Sequence, residues 1–440
     1  MSEIIQPRLL KGFRDFLPGD EAARQKIEYI LLKTIRSFGF VPIDTPVLEY
    51  AEILLGKGGG ETDKQVYRFN DHGGRDVAMR FDLTVSFARY MAAHENEIPL
   101  PFKRFHLGKV WRGENTQRGR YREFKQCDFD IVGIDNLTAD IEIILLIQSC
   151  FENLGLKGIT IDVSQRRIFN RFLQRLGCEE KTVEVLRTVD KLGKIGEEKV
   201  KELLSEFLDK EKAERIIDFT KPEEDYSQTL AKIEDAAGGP ADDTQRMAEI
   251  GRQLEDLGVS CVRLNPAITR GLDYYTDIVY ETFLTELPEI GSVCSGGRYN
   301  NLASLYTNKV LPGVGSSIGI DRLVAALDEL QKIDCGRTDT HIAVLMLDEG
   351  LNTHYQRIAR RFRENNMNVE ILLEKRKLNS QFKTAEKKGI PLALICGEDE
   401  VAAGTVNLKD LRNRESYDAL SPEAAVKKAA ELLSTGGTVL

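Results

Sequence analysis

Residues 112–133, RGENTQRGRYREFKQCDFDIVG, constrain this chain more than any other stretch, because their second half sets a selected side chain at every other position. Successive side chains of a strand leave opposite faces. A strand from Arg120 onward would therefore turn Arg120, Arg122, Phe124, Gln126, Asp128 and Asp130 the same way. Two cations, a ring, an amide and two carboxylates do not make ordinary core, since burying such groups unpaired costs several kcal/mol each. They suit the floor of a ligand site, with an anionic part of the ligand near the arginines and a hydrogen-bonding or cationic part near Gln126 and Asp130. The competing reading is a solvated face on an edge hairpin.

At 440 residues the chain exceeds the usual size of one core and is expected to divide into two or three domains. No apolar run approaches the roughly 20 residues that cross a bilayer. The start, MSEIIQPRLLKGFRDFLP, lacks a secretory-signal pattern. A cytoplasmic protein with no membrane partner is the expectation. Seven cysteines, at 127, 150, 178, 261, 294, 335 and 396, are odd in number and scattered, which argues against a disulfide framework or a zinc knuckle. The five histidines show no ligand spacing either, so no protein metal site is expected.

A net charge of −9 speaks against indiscriminate coating of nucleic acid. It leaves room for a local basic surface: from Lys103 to Lys125 there are eight Lys or Arg against two Glu.

Along the chain, apolar residues at helical spacing after Pro18-Gly19-Asp20 predict a first helix over 21–38, and Pro42 and Pro46 place the next extended segment at a sheet edge or interface. The glycines at 56 and 58–60 lack the order of a phosphate-binding Walker loop and read as a mobile loop. DVAMRFDLT (76–84) predicts a strand leading into a helix, with Asp82 and Thr84 at the junction. Residues 165–250 turn charged and helical, as an insertion between a first part, 1–164, and a second part, 251–330. A linker, 331–340, precedes 341–440, where strands alternate with amphipathic helices as in a small α/β domain with a largely parallel sheet.

The assembled residues resemble the class II aminoacyl-tRNA synthetases. The family's first motif matches 21–49 with Pro46, its second matches Arg112 through Asp130, and its third matches 313–323 with Arg322. RGLDYYT (270–276), SGGRYNNL (295–302) and QCDFDIVG (126–133) are similar to the signatures of the histidyl-tRNA synthetase family. Asn300 and Asn301 stand where that family commonly has Asp-Gly, and the 113–119 loop carries Asn115-Thr116-Gln117 at its tip.

The resemblance implies an α+β catalytic domain, its antiparallel sheet flanked by helices, with a helical insertion and a C-terminal α/β anticodon-binding domain. It implies a homodimer that takes L-histidine, ATP with Mg²⁺, and tRNA(His). Arg112 and Arg270 become the candidate catalytic residues on the α-phosphate. Glu114, Arg120, Arg122, Phe124 and Arg322 join them around ATP, with Arg120 or Arg122 at the pyrophosphate part and adenine between Phe124 and Arg322. Glycines 313, 315 and 319 would permit close backbone approach. For histidine, Asp130 and Tyr275 would meet the imidazole, Asp82, Thr84 and Gln126 the α-amino end, and Tyr274 and Tyr299 would line the pocket. The rival is a catalytically silent relative that acts as regulatory subunit of ATP phosphoribosyltransferase in histidine biosynthesis. Such chains tend to lack the terminal domain and the RGLDYY arginine, and both are present here.

Overall fold

A computed structural model describes residues 4–56, 65–269, 274–332 and 338–435. It forms two compact units, one of residues 1–14 and 28–330, the other of 15–27 and 331–440. The glycine-rich loop from Lys57 onward and Arg270 of the RGLDYYT motif lie outside the described residues.

Strands of the first unit are, in chain order, β1 (Val41–Pro42), β2 (Leu48–Tyr50), β3 (Arg68–Asn70), β4 (Asp76–Met79), β5 (Phe102–Trp111), β6 (Glu123–Val132), β7 (Ile159–Gln165), β8 (Val262–Leu264), β9 (Ile278–Leu284), β10 (Cys294–Arg298) and β11 (Gly313–Gly319). Eight of them build one sheet in the order β1-β5-β6-β11-β10-β9-β7-β8, and β2-β4-β3 form a small second sheet. From β5 through β7 every neighbouring pair is antiparallel. The proline-bearing segment ends up at edges, β1 beside β5 and β2 beside β4. A proline there leaves no ladder donor missing.

One face of the large sheet is dry. Cys127, Phe129, Ile131, Val314 and Ile318 are at most 2% exposed, and the Leu137–Asn153 helix packs beside β11 and β7. That helix starts where the Asn136 side chain accepts from the Ala139 amide at 3.0 Å, a cap worth about 1 kcal/mol. It buries Ile143, Ile144, Leu146, Ile147 and Phe151 completely, each contributing about 1.5–3 kcal/mol relative to exposure.

β7 and β8 pair in parallel, Ile161 opposite Val262, so the chain between them has to cross over. Seven helices, from Arg166–Arg175 to Asp242–Asp256, make that crossing. Phe169, Phe172 and Phe219 stack within it, the closest pair of ring centroids 4.2 Å apart.

The second unit holds β12 (Ile342–Val344), β13 (Val369–Ile371), β14 (Leu392–Ile395), β15 (Val406–Asp410) and β16 (Glu415–Leu420), ordered β13-β12-β14-β15-β16. The first two pairings are parallel and the last two antiparallel, so this sheet is mixed and not largely parallel. The difference comes from β15, which runs antiparallel to β14, and from β16. The residues of β16 are exposed or half-buried throughout, so its sequence carries no alternation, yet it closes a hairpin on β15.

A second correction concerns β6. The strand begins at Glu123, and Arg120 instead closes a tight turn through a backbone bridge to Gln117. Arg122 returns its Nε to the Glu114 carbonyl at 3.1 Å. Gly119, with φ +69°, supplies the left-handed residue this turn requires. Arg120 and Arg122 therefore belong to the loop and not to the strand's polar face.

Candidate active site

The open face of the large sheet centres on β6, where Phe124, Gln126, Asp128 and Asp130 alternate with the core residues Cys127 and Phe129. On β5, Arg104 stands opposite Asp130, His106 opposite Asp128 and Gly108 opposite Gln126. On β11 the facing residues are Gly315, Ser317 and Gly319. A Cβ at Gly315 would sit 2.1 Å from Asp130 Oδ1, and one at Gly313 2.4 Å from the Tyr299 ring. Those glycines leave the room that the carboxylate and the phenol occupy.

Asp130 is buried and accepts from the Tyr299 hydroxyl at 2.5 Å. Arg104, wholly buried, brings Nη2 to 2.7 Å from Asp130 Oδ2 and lies 4.0 Å from the Phe87 ring centroid. The two form a buried ion pair at the centre of the face. Burial raises the Asp130 carboxyl above the usual range, and Arg104 pulls the other way.

Asp82 sits just before the Thr84–Ala93 helix and accepts from the Val85 amide at 3.1 Å and from the Tyr274 hydroxyl at 3.3 Å. Its carboxyl too is raised by burial. Thr84 is the first residue of that helix and is buried beside it. Tyr274 packs on Tyr275 and, edge-on, on Tyr299. Burial holds the Tyr274 and Tyr299 phenols well above their ordinary value, so both are neutral donors. Tyr275 is 8% exposed, clustered with Ala88, Val279 and Leu302. The structure thus gathers Asp82, Thr84 and the three tyrosines at one end of the sheet face, with Asp130 joined to them through Tyr299.

Toward the other end, Arg112 donates Nε to the Phe81 carbonyl at 2.9 Å and reaches to 3.8 Å from Glu114. Its guanidinium is 5.2 Å from the Phe124 ring centroid. Gly119 of the loop packs near Arg322, whose Nη1 donates to the Ser292 carbonyl at 2.5 Å. Arg112, Glu114 and Phe124 form one group, Arg120 and Arg122 belong to the loop beside it, and Arg322 stands on the Ile320–Glu329 helix against that loop.

Three neighbours of Asp130 escaped the sequence reading as site residues: Arg104, His106 and Asp128. Asp128 lay within the alternation; Arg104 and His106 repeat that alternation on β5, a signal that was available. Desolvation and the nearby Arg104 and Arg80 depress His106 to about 4, so it is neutral at pH 7. The SGGRYNN motif also holds a residue of a different kind. Arg298 points to the helix side, where Nη2 meets Asp140 Oδ1 at 2.6 Å, while Arg246 takes Asp140 Oδ2 at 2.5 Å.

The local basic surface is largely neutralised, by one acid within the stretch and by others far along the chain. Lys103 pairs with Glu142, Lys109 with Glu123, Arg118 with Glu329 and Lys125 with Glu28. Among the described residues, no helix is long and apolar enough to cross a membrane.

A family model described as histidyl-tRNA synthetase matches residues 12–323, and one described as an anticodon binding domain matches 341–432. The histidine–tRNA ligase of Treponema denticola is 49% identical, covering 97% of this chain and 99% of its own. That of Rhodopirellula baltica is 44% identical, covering 96% and 98%. The solved histidyl-tRNA synthetase from Nostoc sp. PCC 7120 superposes with a TM-score of 0.86 at 31% identity, covering 98% of this chain and 100% of that one. Likeness that runs from end to end at this level of identity carries one conclusion: the chain belongs to the histidyl-tRNA synthetase family.

Proposed function

We propose that this protein is a histidine–tRNA ligase, joining L-histidine and ATP as histidyl-adenylate with release of pyrophosphate, then passing histidine to the 3′-terminal adenosine of tRNA(His). The observation that carries the reading is the pair of acceptors on β6, Gln126 Oε1 and Asp128 Oδ1, buried without a hydrogen bond beside the Asp130 carboxylate. Such groups are costly to leave unmade, and a cationic, N–H-rich amino acid completes them.

The histidine carboxylate is already ionised near neutral pH, so the first step needs no protein base. Alignment and positive charge supply the rate. Arg112 is assigned to the α-phosphate, and Arg270 by resemblance. Arg120 or Arg122 takes the pyrophosphate part, with Glu114 beside them and adenine held by Phe124 and Arg322. Asp82, Thr84 and Gln126 hold the α-amino end, and Asp130 and Tyr275 the imidazole, with Tyr274 and Tyr299 as walls. Such a pocket rejects look-alikes because an unmatched substrate leaves its polar groups unpaired.

ATP would enter as its magnesium complex, the hard cation offsetting phosphate charge. Among the described residues no group of three or more His, Cys, Asp or Glu stands together as a metal cluster. For tRNA, the 113–119 loop approaches the acceptor end, and the domain from 341 reads splayed anticodon bases by stacking and edge contacts. Both contacts weaken with salt. Partly exposed Val41, Leu48 and Tyr50 support a homodimer through the first motif, which light scattering tests. The protein works in the cytoplasm.

Histidine-dependent exchange of pyrophosphate into ATP, with Mg²⁺, is the direct test. Exchange is expected with histidine alone among the amino acids, and its absence from pure protein would overturn the reading. The regulatory-subunit alternative is not favoured, since this chain has both the anticodon-type domain and Arg112 and Arg322.

A further inference from the structure

Asp128 is a charged residue of the open face for which the mechanism above has no use. It is 2% exposed and lies on β6 between Gln126 and Asp130, opposite His106 on one side and Ser317 on the other. Its Oδ1 is buried without a partner. Next to it the Gln126 amide spends Nε2 on the Ser317 hydroxyl at 2.7 Å, which leaves Oε1 as a second unfilled acceptor on the same face. A carboxylate oxygen and an amide oxygen two residues apart on one strand face present acceptors and no donor. The complementary ligand group carries several N–H donors and a positive charge, which describes an ammonium better than a neutral imidazole.

We propose that Asp128 is a further histidine-binding residue, its Oδ1 and Gln126 Oε1 together receiving N–H donors of the substrate's α-ammonium group. The proposal rests on reading this face as the histidine site.

The groups facing Asp128 are Arg104 and His106 from β5, Asp130 from β6, Ser317 from β11, Arg80 and Asp82 from the segment before the Thr84–Ala93 helix, and Tyr274. Burial is the largest influence and pushes the carboxyl up to about 7, with Arg104 opposing and Asp130 and Asp82 adding to it. Near neutral pH the empty site is thus a mixture of acid and carboxylate. An arriving ammonium favours the carboxylate, so the acid fraction gives its proton to solvent as histidine binds. Affinity must then rise with pH through this range.

The test is titration calorimetry of L-histidine on the full chain and on Asp128→Asn, at pH 6, 7 and 8, in buffers of different ionisation enthalpy. Comparing the two proteins cancels the titration of free histidine. The expected results are roughly ten- to a hundredfold weaker binding by the variant at pH 8, a ratio of wild-type to variant affinity that grows about tenfold from pH 6 to pH 8, and about half a proton more released by the wild type at pH 7. Imidazolepropionate, which lacks the ammonium, should bind both proteins alike. Asp128→Asn removes a buried charge, and an unchanged melting temperature at pH 6 verifies that it folds. Equal affinity and equal proton release in the two proteins would overturn the role of Asp128 while leaving the histidine site standing. No binding of histidine by the wild type would overturn both.

Discussion

The large sheet buries carboxylates on both faces, and the two faces treat them in opposite ways. Behind the sheet, Asp140 is wholly buried yet complete: Arg298 gives its Oδ1 two hydrogen bonds, at 2.6 and 3.1 Å, and Arg246 gives its Oδ2 two, at 2.5 and 2.8 Å. Among the described residues, the Tyr280 and Thr282 hydroxyls there lack partners, but no charged group does. On the open face Asp130 has the Tyr299 hydroxyl and the Arg104 guanidinium, while Asp128 Oδ1 keeps no hydrogen bond. A buried ion pair is weak evidence of stabilisation in itself. What separates scaffold from site is whether the charges are satisfied by the protein alone.

Three experiments break or sharpen that contrast. The largest effect is expected behind the sheet: Arg298→Met leaves Asp140 half-paired in a dry setting and should destabilise the first unit by about 3–5 kcal/mol. The single tryptophan, Trp111, is buried on β5 and reports the transition in a urea titration. A loss below about 1 kcal/mol would put the pair on the level of an exposed salt bridge and erase the distinction. Arg112→Ala should do the reverse, leaving the urea midpoint in place while lowering kcat for pyrophosphate exchange about 10²–10³-fold, the range for removing one preorganised donor. An unchanged kcat would remove Arg112 from the reacting phosphate. Smallest is Gly315→Ala. Its Cβ would fall 2.1 Å from Asp130 Oδ1 and 2.6 Å from the Phe129 carbonyl oxygen, so both the carboxylate and the β6 backbone must shift. The expected outcome is a cost of about 1–3 kcal/mol in stability, with KM for histidine raised and KM for ATP little changed. Equal changes in both constants would mean that the strain spreads beyond Asp130.

How much of this was legible in the sequence depended on whether a pattern was local. The β6 alternation from Phe124 to Asp130 was readable because one strand carries it, and it led directly to the acceptor pair. Its extension to Arg120 and Arg122 failed where a turn interrupts the period: Gly119 and the bridge between Gln117 and Arg120 end the strand face. The basic surface failed for another reason. A local count of charges cannot see Glu28, Glu142 or Glu329, which neutralise Lys125, Lys103 and Arg118 from far along the chain. Arg104 was counted among those surface cations, yet it is wholly buried, because only the strand pairing places it opposite Asp130. The double role of SGGRYNN was likewise hidden: Tyr299 and Arg298 are adjacent, and the sheet sends one to Asp130 and the other to Asp140.

The side-by-side pairing of β7 and β8 has a consequence of its own. Everything from 166 to 261 leaves the far end of β7 and returns to the near end of its neighbour β8, and the closing entropy of such an excursion grows only slowly with its length. The sheet edge therefore works as a socket: a relative could carry a longer, shorter or unrelated module at this point and keep the rest of the sheet intact. One residue of the module, Arg246, also completes the pairing of Asp140, so a replacement would have to bring its own cation to that spot.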